Sequence, residues 1–147
     1  MSSIEKKEHL NIFSQELKKI GFKKKANRWT IKGDIITKLI ELQSSFYWNG
    51  YYINLGVCFN EIRGEDSKSI ASYDCHLVRR VNPMALASTI FLDEEFVTST
   101  IEEINAFFEK AASIEWLRNN FPKEIKIKNI ELMNIKVIDF RNYLEKE

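Results

Sequence analysis

A cysteine flanked by an aspartate and a histidine, Asp74-Cys75-His76, is the part of this 147-residue sequence closest in type to a catalytic nucleophile. A neighbouring imidazole raises the thiolate fraction, and the thiolate is the attacking species. Adjacency works against that chemistry. Side chains next to each other in a regular strand leave on opposite faces, so Cys75 and His76 do not meet without a bulge. Cys58 would face Cys75 or His76 only in a register that spacing does not specify. The plainer expectation is a small buried thiol beside a hydrogen-bonded histidine. Zinc needs four Cys or His ligands in paired spacings. Cys58, Cys75, His76 and His9 contain neither a C-x-x-C nor an H-x-x-x-H, so no metal is expected.

Carboxylates cluster at Glu65-Asp66, Asp93-Glu94-Glu95 and Glu102-Glu103. The first two read as loops and the third as a first helical turn, where negative charge is favourable in any case. None is tied to an apolar stretch that would raise one pKa for acid catalysis. Gly21, Gly33, Gly50, Gly56 and Gly64 are scattered, so no phosphate loop is present. Lys18, Lys19, Lys23, Lys24, Lys25 and Arg28, with Trp29 and Trp48 as stacking surfaces, would suit a single-stranded nucleic acid. The same lysines equally protect a helix end and a strand edge. One further group stands out: Gln43, Ser44, Ser45, Trp48, Tyr52, Asn54 and Arg79. Trp, Tyr and Arg are the residues that most often anchor protein interfaces. On a sheet face left partly uncovered, Trp48, Tyr52, Asn54, Gln43 and Arg79 would form a recognition surface; under a covering segment they would fill a second, minor core.

Whether these residues meet depends on the elements that carry them. Ser2 and Glu5 have capping-box spacing, and Leu10, Phe13, Leu17 and Ile20 form one stripe of an N-terminal helix that Gly21 ends. The period then becomes two. Strands are expected over 23–30, 35–46, from Tyr51 onward, and over 72–81. Asn49-Gly50 has the composition of a two-residue type I′ hairpin turn. In the strand from Tyr51, the residues Tyr51, Ile53, Leu55, Val57 and Phe59 share the face expected against helices; Tyr52, Asn54, Gly56, Cys58 and Asn60 share the less covered one. Asn82-Pro83 breaks the pattern, with a short helical or irregular piece at 84–89. Ser99 and Glu102, then Thr100 and Glu103, have capping-box spacing for a second helix through Ile101, Ile104, Phe108 and Ala111. Ser113 is placed to cap a third, carrying Trp116 and Leu117 and ending before Pro122. Ile125-Lys126-Ile127-Lys128 alternates like a strand, and the last part of the chain favours helix.

The fold class expected is therefore α+β: an antiparallel sheet of about four strands, with an N-terminal helix and C-terminal helices packed on one face. One domain spanning 1–147 is expected from the length. Lys+Arg number 22 against 21 Asp+Glu, a net charge of +1, which argues against a dedicated polyanion binder. The charged start and the lack of a long apolar stretch argue for a cytoplasmic protein without a membrane span.

The run Gly21-Phe22 to Trp29, with Gln43-Ser44-Ser45 and Ile53-Asn54-Leu55-Gly56-Val57, resembles a bacterial family of small uncharacterised proteins, a domain of unknown function with G-F-x(6)-W, Q-x-S and I-N-L-G-V motifs. The likeness is clearest over 5–82, includes Cys75-His76-Leu77-Val78-Arg79, and fades beyond Pro83. It implies a small cytosolic α+β domain, with no activity or catalytic residues to carry over, and a similarity to the immunity proteins that accompany secreted toxins. The function expected is non-enzymatic binding of a protein partner, with no cofactor. The alternatives are an enzyme or small-molecule binder and, third, a nucleic-acid module.

Overall fold

The computed structural model describes residues 3–44, 51–64, 71–81 and 94–146. It opens with α1 (Ser3–Lys19), which buries Phe13 and Leu17. The helix ends as its sequence requires. Gly21 has φ 103°, its N–H donates to the Lys18 carbonyl, and Phe22 N–H reaches back to the Leu17 carbonyl. This pair of bonds is the Schellman arrangement, in which a residue without a Cβ adopts the positive φ and the next apolar residue folds onto the last turn. Ile20, expected on the stripe, is exposed. Ser2 lies outside the described residues.

Among the described residues six strands form one sheet in sequential order, every neighbouring pair antiparallel: β1 (Lys23–Lys25), β2 (Arg28–Lys32), β3 (Ile36–Ser44), β4 (Tyr51–Phe59), β5 (Leu77–Arg80) and β6 (Glu131–Leu132). The count is six rather than about four. The expected first strand is in fact two, folded at Ala26-Asn27 so that Lys25 faces Arg28. Ala26 takes φ 55° there, and an alanine in the left-handed region gives no compositional warning of a turn. The Asn27 side chain secures the turn by donating to the Leu42 carbonyl at 2.6 Å. The sixth strand pairs only two residues with β5, too short to show a period.

Asn49-Gly50 lies outside the described residues. The described β3–β4 ladder pairs Ser44 with Tyr51. Ile35, expected in a strand, is 61% exposed and precedes β3. The expected strand over 72–81 is a 3-10 turn (Ser72–Asp74) followed by the shorter β5.

After β4 comes a single turn, α2 (Asn60–Arg63), and after β5 the helix α3 (Glu94–Ala111). Ser99 and Thr100 lie inside α3 rather than at its cap, and Glu94-Glu95 begin it instead of forming a loop. Helix α4 (Ile114–Asn120) starts as expected, with the Ser113 hydroxyl accepting from Trp116 N–H at 3.1 Å. The 125–128 segment is not a strand, since Lys123–Ile127 is the short helix α5. Helix α6 (Val137–Glu145) closes the chain, its last turn bonded by Arg118 through the Leu144 and Lys146 carbonyls.

The register sorts the sheet into two faces. Trp29, Ile40, Leu42, Ile53, Leu55, Val57, Phe59 and Leu77 join Phe13, Leu17, Ile104, Phe108, Leu117 and Phe140 in one buried cluster, so α1 and the C-terminal helices share this face. Leu39, Cys58 and Cys75 form a small second cluster on the other, where 71–75 crosses the sheet. No helix of the described residues is long and apolar enough to cross a membrane.

Candidate functional site

The second face is closed at one end and open at the other. At the closed end Cys75 packs over Gly56, so closely that a Cβ on Gly56 would sit 2.5 Å from Cys75 Sγ. A hydrogen in place of a side chain is what lets the crossing segment lie flat. Glu41 ties that segment down: Ser72 Oγ donates to Glu41 Oε1 at 2.7 Å, while Arg28 Nε donates to Glu41 Oε2 at 2.9 Å. Asn134 Nδ2 donates to the carbonyls of Tyr73 and Cys75 at 2.7 and 2.8 Å. Between those anchors the Tyr73 ring projects outward, 69% exposed.

At the open end β3, β4 and β5 present a closed polar triangle. Asn54 Nδ2 donates to Gln43 Oε1 at 3.1 Å, Arg80 Nε donates to Asn54 Oδ1 at 3.0 Å, and Arg80 Nη2 donates to Gln43 Oε1 at 3.1 Å. The Arg80 guanidinium also lies 4.0 Å from the centroid of the Tyr52 ring, close enough for cation–π attraction. The sheet positions these groups directly, because Gln43 faces Tyr52 and Asn54 faces Arg80 across adjacent strands. Asn54 is only 9% exposed, and its amide is satisfied on both sides by the triangle.

Two clefts open beside this network. One, of about 500 Å³, is bordered by Gln43, Asn54, Arg80, Ser72, Tyr73 and Glu131. The other, of about 480 Å³, is bordered by Arg28, Glu41 and Ala26 among others, and shares Gln43 and Tyr73 with the first. The second runs away from the network, toward Leu10, Lys24 and Trp29.

Three of the five expected site residues, Gln43, Tyr52 and Asn54, therefore stand together. Trp48 lies outside the described residues. Arg79 is on the wrong face: it stands opposite Leu55, and its Nη2 donates to Glu103 Oε1 at 3.1 Å, on α3. Its neighbour Arg80 takes the place expected of it. The signal was present in the alternation. Leu77 and Val81 are apolar core residues at odd positions, which sends Arg79 to the helix side and Arg80 to the other.

The other chemistry resolves differently. Cys75 and Cys58 are both fully buried. Burial, with a smaller opposing effect of Arg63, pushes the Cys58 thiol up to about 11. Burial, reinforced by Cys58 and Asp74, raises Cys75 further. Activated nucleophiles are shifted the opposite way. His76 Nδ1 accepts from Phe59 N–H at 3.0 Å, which leaves the ring proton on Nε2. Burial, and then the nearby Arg63, lower its pKa from the ordinary value. No group of three or more potential metal ligands occurs among the described residues. Trp29 is 1% exposed, donates to Ser14 Oγ and stands edge-on to Phe13, so it offers no stacking face.

A family model described as a domain of unknown function (DUF4304) matches residues 13–131, and the chain belongs to this family. The match runs from α1 to β6, well past Pro83, where the motif resemblance fades. Neither a curated protein nor a solved structure matches the chain.

Proposed function

We propose that this member of the DUF4304 family is a non-enzymatic binding protein whose partner is another protein, docked on the second sheet face around Tyr52, Asn54, Gln43 and Arg80, with no cofactor. One observation carries the reading: the Arg80 guanidinium is stacked on Tyr52 and held by two carboxamides before any partner arrives. Tyr and Arg contribute to interfaces out of proportion to their area. Ordering them in advance reduces the entropy lost on association. Tyr73 adds a second aromatic whose backbone is fixed. The finer version is a cytoplasmic bacterial immunity protein that neutralises a toxin, and its support is the motif resemblance.

Capture of the tagged chain from its native cell, compared with Tyr52→Ala and Arg80→Ala, tests the proposal. Both variants stay folded and bind the captured protein at least about 30-fold more weakly, the loss typical of an interface hot spot. Retention of the partner at wild-type level, or unfolding of both variants, refutes it. The cleft itself supports a second reading, as a small-molecule or substrate site, because about 500 Å³ with Gln43, Asn54 and Arg80 converging matches the dimensions of such sites.

A further inference from the structure

Arg80 differs from Arg28, Arg79 and Arg118 in what holds it. Arg28 is paired with Glu41 and Arg79 with Glu103, while Arg118 bonds the last carbonyls of α6. Arg80 is bonded only to the neutral oxygens of Asn54 and Gln43 and to the Tyr52 ring, with no carboxylate among the described residues. Two of the five guanidinium N–H groups are used. The remaining three are aimed by a fixed fork, the geometry that suits a carboxylate.

The fork reaches over β4, and on the other side of β5, toward β6, the backbone of Arg80 is open as well. Val81 N–H donates to the Ile53 carbonyl at 2.9 Å. Peptide groups alternate sides along an antiparallel strand, so Leu77, Arg79 and Val81 turn theirs toward β4, and Val78 and Arg80 turn theirs away. Glu131 on β6 meets Val78. The residue that would meet Arg80 is Asn129, which has φ 57° and bonds its N–H to the Lys126 carbonyl instead. Among the described residues no strand pairs with Arg80 on the side away from β4, and the 500 Å³ cleft borders it. Glu131 borders the same cleft and opposes a polyanion there, so the match is to a single carboxylate directed at Arg80.

We infer that the cleft takes an extended acidic segment of the partner protein. One Asp or Glu carboxylate sits on the free N–H groups of Arg80, and the segment's backbone pairs with the outward N–H and C=O of Arg80, continuing the sheet past the end of β6. This is strand addition at a sheet edge, with main-chain bonds for affinity and a side-chain contact for selection. It rests on the protein-binding reading above and names the chemistry of that partner.

The test is an NMR titration of the full ¹⁵N-labelled chain with the singly charged peptide acetyl-Val-Thr-Val-Glu-Val-Thr-amide and its glutamine counterpart acetyl-Val-Thr-Val-Gln-Val-Thr-amide. The acidic peptide shifts the Arg80 and Asn54 amides saturably. The glutamine peptide, and the acidic peptide with folded Arg80→Gln, bind at least about tenfold more weakly, while Arg80→Lys recovers part of the loss because it keeps charge without the fork. Equal binding of the two peptides overturns the assignment, as do shifts gathered on 23–25 or equal shifts from acetate alone. Preferential binding of an oligothymidylate at the Arg80 signals overturns it too. A captured partner lost on Arg80→Ala, with the acidic peptide leaving those signals unmoved, overturns the acidic segment while leaving the protein-binding reading standing.

Discussion

Replacing Gly56 by alanine places a methyl group 2.5 Å from Cys75 Sγ and 3.0 Å from Cys75 Cβ, where carbon atoms normally rest about 3.5–4.0 Å apart. Neither neighbour is the loose end of a long side chain, so the 71–75 segment must lift or β4 must bend. Overpacking of this kind costs about 1–3 kcal/mol. Alanine restricts the unfolded chain and returns about 0.4–1 kcal/mol, leaving a net loss of about 1–2 kcal/mol. Cys75→Ala removes the atom in the way at a cost of about 1 kcal/mol of lost burial. In the double variant the Gly56 penalty then falls by about 1 kcal/mol or more, a coupling of the size expected for residues in contact. Urea unfolding of the four proteins, followed by tryptophan fluorescence, completes the cycle. Because the displaced segment carries Ser72 and Tyr73, the Gly56→Ala protein also shifts the NMR signals lining the cleft. A Gly56→Ala protein as stable as wild type, or strictly additive losses, refutes the close-packing argument.

Three further outcomes follow from the geometry. His76 is held neutral with its pKa lowered by burial and Arg63, so the unfolded chain binds the extra proton first. Its stabilising contribution is therefore complete above the unfolded value near 6.5 and declines as pH falls through the lower folded value; a His76→Gln protein shows a flatter urea midpoint between about pH 8 and pH 5. With its thiol pushed up to about 11, Cys58 in the native protein stays unalkylated by iodoacetamide at neutral pH, as does Cys75, and both react once urea unfolds the chain; fast native labelling refutes their burial. Ser113→Ala removes the acceptor for Trp116 N–H and lowers stability by about 1 kcal/mol, visible as a fall of about 2–4 °C in the thermal midpoint.

Much of the fold and part of the site could be read without coordinates, where local rules act alone. The stripe of Phe13 and Leu17, the stop at Gly21, the cap at Ser113 and the two faces of β4 each follow from periodicity or from a single backbone requirement. The alternation in β4 already put Tyr52 and Asn54 on the same side. Other features needed contacts from distant residues. Ala26 accepts its positive φ inside a hairpin braced by Asn27 and Leu42, against its own preference. The 125–128 run alternates like a strand yet folds as the helix α5, and Ser99 and Thr100 carry cap spacing inside a longer helix. For α5 and α3, burial of Ile125 and Thr100 accompanies the departure from local preference.

The functional face shows the division most clearly. Residue types and the twofold period of β4 settle which side chains leave together on one side of a strand, because neighbouring Cβ atoms must alternate. They do not settle how β5 slides against β4. That register is set by long-range packing of Leu77 and Val81 into the helix-covered core, and a slip of one residue exchanges every side chain between faces. It set Arg80, the arginine that the alternation of Leu77 and Val81 sends to this face, opposite Asn54, and so gave the cleft its fixed guanidinium.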